Sequence, residues 1–233
     1  MVARFDVTVT RLESCGEDIV TLQLTRPDAY EFAPGQWFRL TLPTDDGLLA
    51  ETFSHASAPG DPYLELVTRL SGSAFKRALA LLAPGVAVSI LGPGGHLALP
   101  AGAANVAFLV GGVGVTPIRS ILRDRHQRHA SFADALLLYG NRDETCVPFG
   151  AELLGMGDVG VRTVLCYEHP SADWEGERGF ITAETVRRHL DPDDGRPFVV
   201  TGPPAMVSAM EDVLDELQIG IDRRVVERFG SSG

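Results

Sequence analysis

Val106-Ala107-Phe108-Leu109-Val110-Gly111-Gly112-Val113-Gly114-Val115-Thr116-Pro117 decides how this chain is read. An apolar run of strand length enters a cluster of glycines, and a helix signal follows at once. Glycine has no Cβ, so backbone N–H groups there can approach an anionic ligand closely. Thr116 reads as an N-cap and Pro117 as the first helical residue, which aims the helix dipole at the same point. A tight turn packing a buried strand on a helix has the same local pattern, so the rest of the chain must arbitrate.

Downstream, strands at Val106–Val110, Ala135–Tyr139, Val161–Tyr167, Phe198–Thr201 and Arg224–Arg228 alternate with helices near Pro117–Arg128, Thr182–Leu190 and Pro204–Leu217. That rhythm predicts a parallel sheet with helices on both faces. Ligands of such sheets sit beyond the carboxyl ends of the strands, which brings Gly111–Thr116, Gly140–Arg142 and Gly202–Met206 to one edge.

Upstream, short strands separated by turn residues are predicted at Phe5–Leu12, Ile19–Thr25, Trp37–Leu42, Thr52–His55, Leu64–Arg69 and Val86–Leu91, with one helix over Ser73–Leu82. They read as an antiparallel six-stranded barrel. The turn cluster Gly92-Pro93-Gly94-Gly95 and the small residues Pro100–Ala104 separate the two rhythms, giving domains of 1–100 and 101–233.

The 233 residues, 45% hydrophobic, suffice for two cores. A net charge of -11 argues against nucleic acid as a partner, because phosphate backbones need concentrated Lys and Arg. The amino-terminal residues alternate as a strand and not as a signal peptide, and the longest apolar run is too short to span a bilayer. Cys15, Cys146 and Cys166 lack metal-ligand spacing, and a reduced, cytoplasmic setting fits them. His126 and His129, three apart on a helix, read as solvent-facing, His55 as a packed or exposed barrel residue, and no metal is expected.

Four motifs in one order then carry a resemblance: Glu51-Thr52-Phe53-Ser54, Ser71-Gly72-Ser73-Ala74-Phe75, Gly111-Gly112-Val113-Gly114-Val115-Thr116-Pro117 and Thr201-Gly202-Pro203-Pro204-Ala205-Met206. Their order and separations along nearly the whole chain resemble the ferredoxin–NADP reductase-type flavoproteins. The resemblance implies FAD on the barrel and a nicotinamide dinucleotide on the parallel sheet. It places Phe53 near the isoalloxazine, Ser54 near its N5, and the N–H groups of Gly72, Ser73 and Ala74 at the flavin phosphates, with Glu51, Thr52, Thr68 and Arg69 beside them. On the second domain it assigns Gly112, Gly114, Thr116, Pro117, Asn141, Arg142, Gly202, Pro203 and Met206 to the dinucleotide. Ser54, Thr116, Thr201 and Glu227 would stand at the reacting rings, and Phe229 would either cover the flavin or simply pack the terminus. Met206 also falls on a core-facing helical stripe with Met210, Val213, Leu214 and Leu217.

Two departures bear on chemistry. Glu51 stands where the family usually has an arginine for the flavin pyrophosphate, so either Arg69 or another cation takes over, or flavin is held weakly, or another ligand is favoured. Thr201 replaces the family's usual cysteine. Cys166-Tyr167-Glu168 ends a strand where NADP-specific relatives carry serine and arginine, and the carboxylate there suits a free ribose hydroxyl, so NADH is expected over NADPH. The implied activity is transfer of hydride from NAD(P)H to flavin and of electrons onward to a separate acceptor, such as a ferredoxin, an oxygenase component or a small oxidant. A free-flavin reductase and a non-catalytic nucleotide-binding electron-transfer subunit are the alternatives.

Overall fold

The computed structural model describes residues 2–45, 47–95, 97–100 and 102–229. Two compact units emerge, one comprising the described residues of 2–98 and 116–124, the other those of 99–115 and 125–229. The expected boundary touches Ala101, which lies outside the described residues.

In the first unit, β1 (Ala3–Cys15), β2 (Ile19–Thr25), β3 (Trp37–Thr44), β4 (Gly47–Ser54), β5 (Tyr63–Arg69) and β6 (Ala87–Gly94) form one antiparallel sheet in the order β4-β3-β6-β1-β2-β5. The outermost strands β4 and β5 share no ladder, so the predicted barrel is a half-barrel. Alternation puts Val7, Leu22, Leu24, Phe38, Leu40, Leu64 and Leu66 on one face as a continuous core. Each such burial contributes about 1.5–3 kcal/mol before chain entropy is counted. Helix α1 (Ala74–Ala80) adds Phe75 and Leu79 to that core and is capped by the Ser73 hydroxyl, which accepts from the Lys76 N–H.

β6 continues through Gly92-Pro93-Gly94, a segment the sequence presents as a turn. The reason is Trp37: a Cβ on Gly94 or Gly95 would fall 2.5 or 2.3 Å from its indole, so the glycines make room for a ring lying across the strand. Residues Thr116–Asp124 also belong to this unit. There Arg119 pairs with Glu65 and donates to the Ala56 carbonyl at 2.8 Å, Ser120 donates to the Ser57 carbonyl at 2.7 Å, and Arg123 forks onto both oxygens of Asp61. Removing one member of the buried Arg119–Glu65 pair would cost about 3–5 kcal/mol.

In the second unit, β7 (Asn105–Gly111), β8 (Asp134–Asn141), β9 (Val161–Tyr167), β10 (Glu177–Arg178), β11 (Phe198–Gly202) and β12 (Arg224–Arg228) form a wholly parallel sheet in the order β10-β9-β8-β7-β11-β12. One face carries Ala107, Leu109, Leu136, Leu138, Phe198 and Val200 against α4 (Ala183–His189) and α5 (Pro204–Glu216). On the opposite face Thr163 donates to the Leu153 carbonyl of α3 (Gly150–Leu154). Helices therefore cover both faces, as the alternating rhythm requires. The five-residue α3 and the two-residue β10 have no legible period, and the sequence does not announce them.

Helix α2 (Val115–Gln127) follows a 3-10 turn over Gly112–Gly114, which corrects the capping assignment. Helical winding begins before Thr116, so Thr116 and Pro117 are the second and third residues of α2 and Thr116 is not an N-cap. The early start comes from Gly112, whose φ of +50° turns the chain straight out of the strand. Among the described residues no helix is long and apolar enough to cross a membrane.

Candidate functional site

At the carboxyl edge of the parallel sheet, β7, β8 and β11 deliver the three predicted loops. Two buried hydroxyls hold the glycine loop from beneath. The Tyr139 hydroxyl shares its one proton between the carbonyl of Gly112 at 3.1 Å and that of Pro148 at 3.2 Å, and Thr201 donates to the carbonyl of Gly114 at 2.8 Å. Burial pushes the Tyr139 phenol above its ordinary value, so it stays a neutral donor. Gly114 packs against backbone: a Cβ there would lie 2.6 Å from both the Gly202 Cα and the Thr201 carbonyl oxygen. Gly112 is the opposite case, with nothing within 4 Å of a hypothetical Cβ. The loop is thus tied down at its carbonyls and open above Gly112.

Thr201 lies beside this loop, with its hydroxyl proton committed to Gly114. Met206 fills the corner between β7 and β11, its sulfur 3.1 and 2.7 Å from where Cβ atoms of Gly111 and Gly202 would stand. Pro203 is the N-cap residue of α5. The N–H of Phe229 donates to the Gly202 carbonyl at 3.0 Å, docking the segment after β12 on β11, while Glu227 stands in register with Thr201.

One strand over, the side-chain nitrogen of Asn141 is buried beside the Tyr139 phenol and makes no well-formed hydrogen bond. Buried donors are nearly always satisfied, so this amide beside an open glycine loop is free to turn to a bound ligand. The Glu168 N–H donates to the Asn141 carbonyl and the His169 N–H to that of Arg142, so tertiary structure brings one cationic residue, Arg142, to the segment of Glu168. Carboxylates still predominate. Asp143 caps Thr145, Glu144 accepts from the N–H and hydroxyl of Ser171, and these bonds hold both carboxyls below the usual range. Glu168 sits 3.4 Å from His169 at the surface.

On the half-barrel, a second cluster gathers where α1 meets β4 and β5. Glu51 pairs with Lys76 at 2.7 Å and Lys76 donates to the Thr68 hydroxyl at 2.7 Å. The ammonium lies 4.4 Å from the Phe53 ring centroid, and Phe53 packs on Phe75 at 5.7 Å. Phe53 therefore belongs to the barrel core. Burial lowers the Lys76 pKa, and the bond and charge of Glu51 oppose that shift. Arg69 instead turns to Asp18 at the surface, so the cation beside Glu51 is Lys76. Lys76 was missed because 25 residues separate it from Glu51, and only the docking of α1 makes them neighbours. Tyr139 was missed too, although a tyrosine closing an apolar strand carries a recognisable signal, an apolar body with a polar tip.

Ser54 is nearly buried, and its hydroxyl makes no hydrogen bond among the described residues. The N–H groups of Gly72 and Ala74 likewise have no acceptor there, and Gly72 has open space where a Cβ would be. With the rings of Phe53 and Phe75, this donor set is chemically suited to a phosphorylated, ring-bearing ligand such as flavin.

Residues 108–212 match the family model for the oxidoreductase NAD-binding domain. The chain is 31% identical over 239 aligned residues to ferredoxin–NADP reductase B of Sorangium cellulosum, covering 97% of each chain. It is 30% identical to the propane 2-monooxygenase reductase component of Rhodococcus jostii, spanning 96% of this chain but only 63% of that longer protein. Among solved structures, the ferredoxin NADP+ reductase of Neisseria gonorrhoeae with bound FAD and NADP superimposes with a TM-score of 0.84 at 21% identity, over 97% of this chain and 98% of that one, a likeness of fold. A full-length relative at this identity, joined to the two units described above, shows that the chain belongs to the ferredoxin–NADP reductase-type family of NAD(P)H-dependent flavoprotein oxidoreductases.

Proposed function

We propose that the parallel-sheet unit holds NADH and the half-barrel unit holds FAD, and that the enzyme passes electrons from the first to a separate acceptor through the second. The open, left-handed Gly112, in a loop pinned at its own carbonyl and at that of Gly114, with the buried Asn141 amide beside it, carries this reading. When bound, the nicotinamide supplies hydride and the flavin accepts it and releases electrons onward. The chain's own residues orient and enclose. Tyr139 and Thr201 fix the loop that receives the dinucleotide, Asn141 donates to it, and Arg142, Gly202, Pro203 and Met206 shape the rest of that edge. Thr116 and Pro117, in the first turn of α2, complete the loop. Ser54 offers a hydroxyl to the flavin ring, and Thr52, Phe53, Thr68 and the segment Gly72-Ser73-Ala74 form its surroundings. Glu227 and Phe229 close the second unit's edge beside Thr201.

NADH is favoured over NADPH because Asp143, Glu144 and Glu168 outnumber Arg142 where a 2′-phosphate would lie, and carboxylates repel it. The relatives' names, reductases and a reductase component, favour onward transfer to a separate ferredoxin, oxygenase component or small oxidant over a free-flavin reductase or a non-catalytic subunit. Anaerobic mixing of the FAD-loaded protein with each nucleotide tests the reading. Flavin absorbance should bleach with NADH, and more slowly with NADPH. A spectrum unchanged by both would reject the function, and faster bleaching by NADPH would reject the cofactor choice.

A further inference from the structure

The cluster beneath α1 holds a largely buried ion pair between Lys76 and Glu51. Lys76 is 11% exposed and Glu51 17%, so both charges are largely out of water. Replacing such a pair by apolar residues is often neutral or stabilising, because desolvation offsets the attraction. The ammonium has three N–H groups. One faces Glu51 and one Thr68. Glu51 also accepts from the Ser73 hydroxyl at 3.5 Å, so its oxygens are turned to Lys76 and Ser73. Beside the pair lie the Phe53 and Phe75 rings, 4.4 and 5.5 Å from Nζ.

We propose that Lys76 is the cation that meets the flavin phosphate in this protein and that Glu51 is its tether, not a flavin ligand. The positive charge has been transposed from the β4 motif position, where the resembling family carries arginine, to helix α1. The inference rests on the flavin reading above. A carboxylate alone at position 51 would repel a phosphate, and pairing with Lys76 at 2.7 Å reduces that repulsion without removing it. The transposition changes the recognition as well as the location. Arginine binds phosphate through a planar fork, whereas Lys76 has one remaining N–H and works as a compact charge. Phosphorylated flavins are therefore held by a single charge-assisted contact that Glu51 partly opposes.

Titration of the flavin-free protein with FAD, FMN and riboflavin, followed by flavin fluorescence, separates charge from ring recognition, since riboflavin has the same ring and no phosphate. Lys76→Met should weaken FAD and FMN binding about tenfold or more, the loss of one hydrogen bond to a charged group, and leave riboflavin within about twofold. Glu51→Gln should tighten FAD and FMN and not riboflavin. Lys76→Arg should keep the phosphate preference, and thermal melts identify any variant that fails to fold. If Lys76→Met destroys the fold, the opposite sign expected for Glu51→Gln still decides. Equal shifts for all three flavins, or unchanged FAD binding in both variants, would overturn the proposal while leaving the flavin reading intact. Absence of binding by the unaltered protein to any flavin would overturn the flavin reading itself.

Discussion

The Thr201 hydroxyl donates to the carbonyl of Gly114 across 2.8 Å, joining two segments 87 residues apart in the chain. Both ends are buried, so the carbonyl has no water to turn to if the donor is lost. Thr201→Val keeps the shape and removes the proton. It should lower stability by about 1–3 kcal/mol and raise the KM for NADH, while FAD affinity is unchanged. Thr201→Ser should restore both. An unaltered KM in a destabilised Thr201→Val protein would confine the bond to a structural role.

Gly112 and Gly114 are two positions apart and should respond to alanine differently. At Gly114 the methyl would press on the Gly202 and Thr201 backbones at 2.6 Å, and backbone cannot rotate away. At Gly112 there is space, and alanine meets only the left-handed φ, which costs about 1–2 kcal/mol. Gly114→Ala should therefore lower the melting temperature far more than Gly112→Ala. In Gly112→Ala the larger effect should be on NADH binding, measured by titration of the FAD-loaded protein.

Glu168 sets the charge where β9 ends. Glu168→Arg removes a repulsive carboxylate and adds a planar donor for a 2′-phosphate. The ratio of kcat/KM for NADPH to that for NADH should rise about tenfold or more, the equivalent of one charge-assisted bond. A ratio unmoved by this reversal would place nucleotide choice elsewhere on the sheet edge.

His55 is enclosed by the half-barrel, stacked on Phe32 at 3.8 Å and 3.1 Å from the Tyr30 hydroxyl. Burial and, secondarily, the charge of Arg26 push its pKa down to about 3. In the unfolded chain a histidine titrates near 6.5, so between those values the unfolded state binds the proton and the folded state does not. The His55 contribution to stability is thus fully present above about pH 6.5 and is lost as pH falls toward 3. Chemical denaturation at stepped pH should show a shallower decline for His55→Phe than for the unaltered protein across that window. Parallel curves would show that other groups carry the acid sensitivity.

Much of the architecture was legible because periodicity is a local property. The Val106–Val110 strand, the alternation of β1 and the stripe on α5 each state their burial within a few residues, and the parallel sheet with helices on both faces follows from their order. The capping role read for Thr116 was wrong for a local reason as well: glycine conformations upstream started the helix early. Gly92–Gly95 was misread because Gly94 and Gly95 answer to Trp37, more than fifty residues away, and Gly92 to Tyr30 and Phe38, and not to a turn.

Residue types and spacing alone determined the family likeness, the two folding rhythms and the edge where the glycine loops collect. Tertiary structure alone decided which partner each polar group takes. Nothing local in the chain says that Lys76 pairs with Glu51, that Tyr139 and Thr201 hold the glycine loop from below, or that the Asn141 amide is buried beside the Tyr139 phenol. Hydrophobic patterning acts over one turn or one strand, whereas hydrogen bonds and ion pairs are satisfied only when distant segments arrive within about 3 Å of one another.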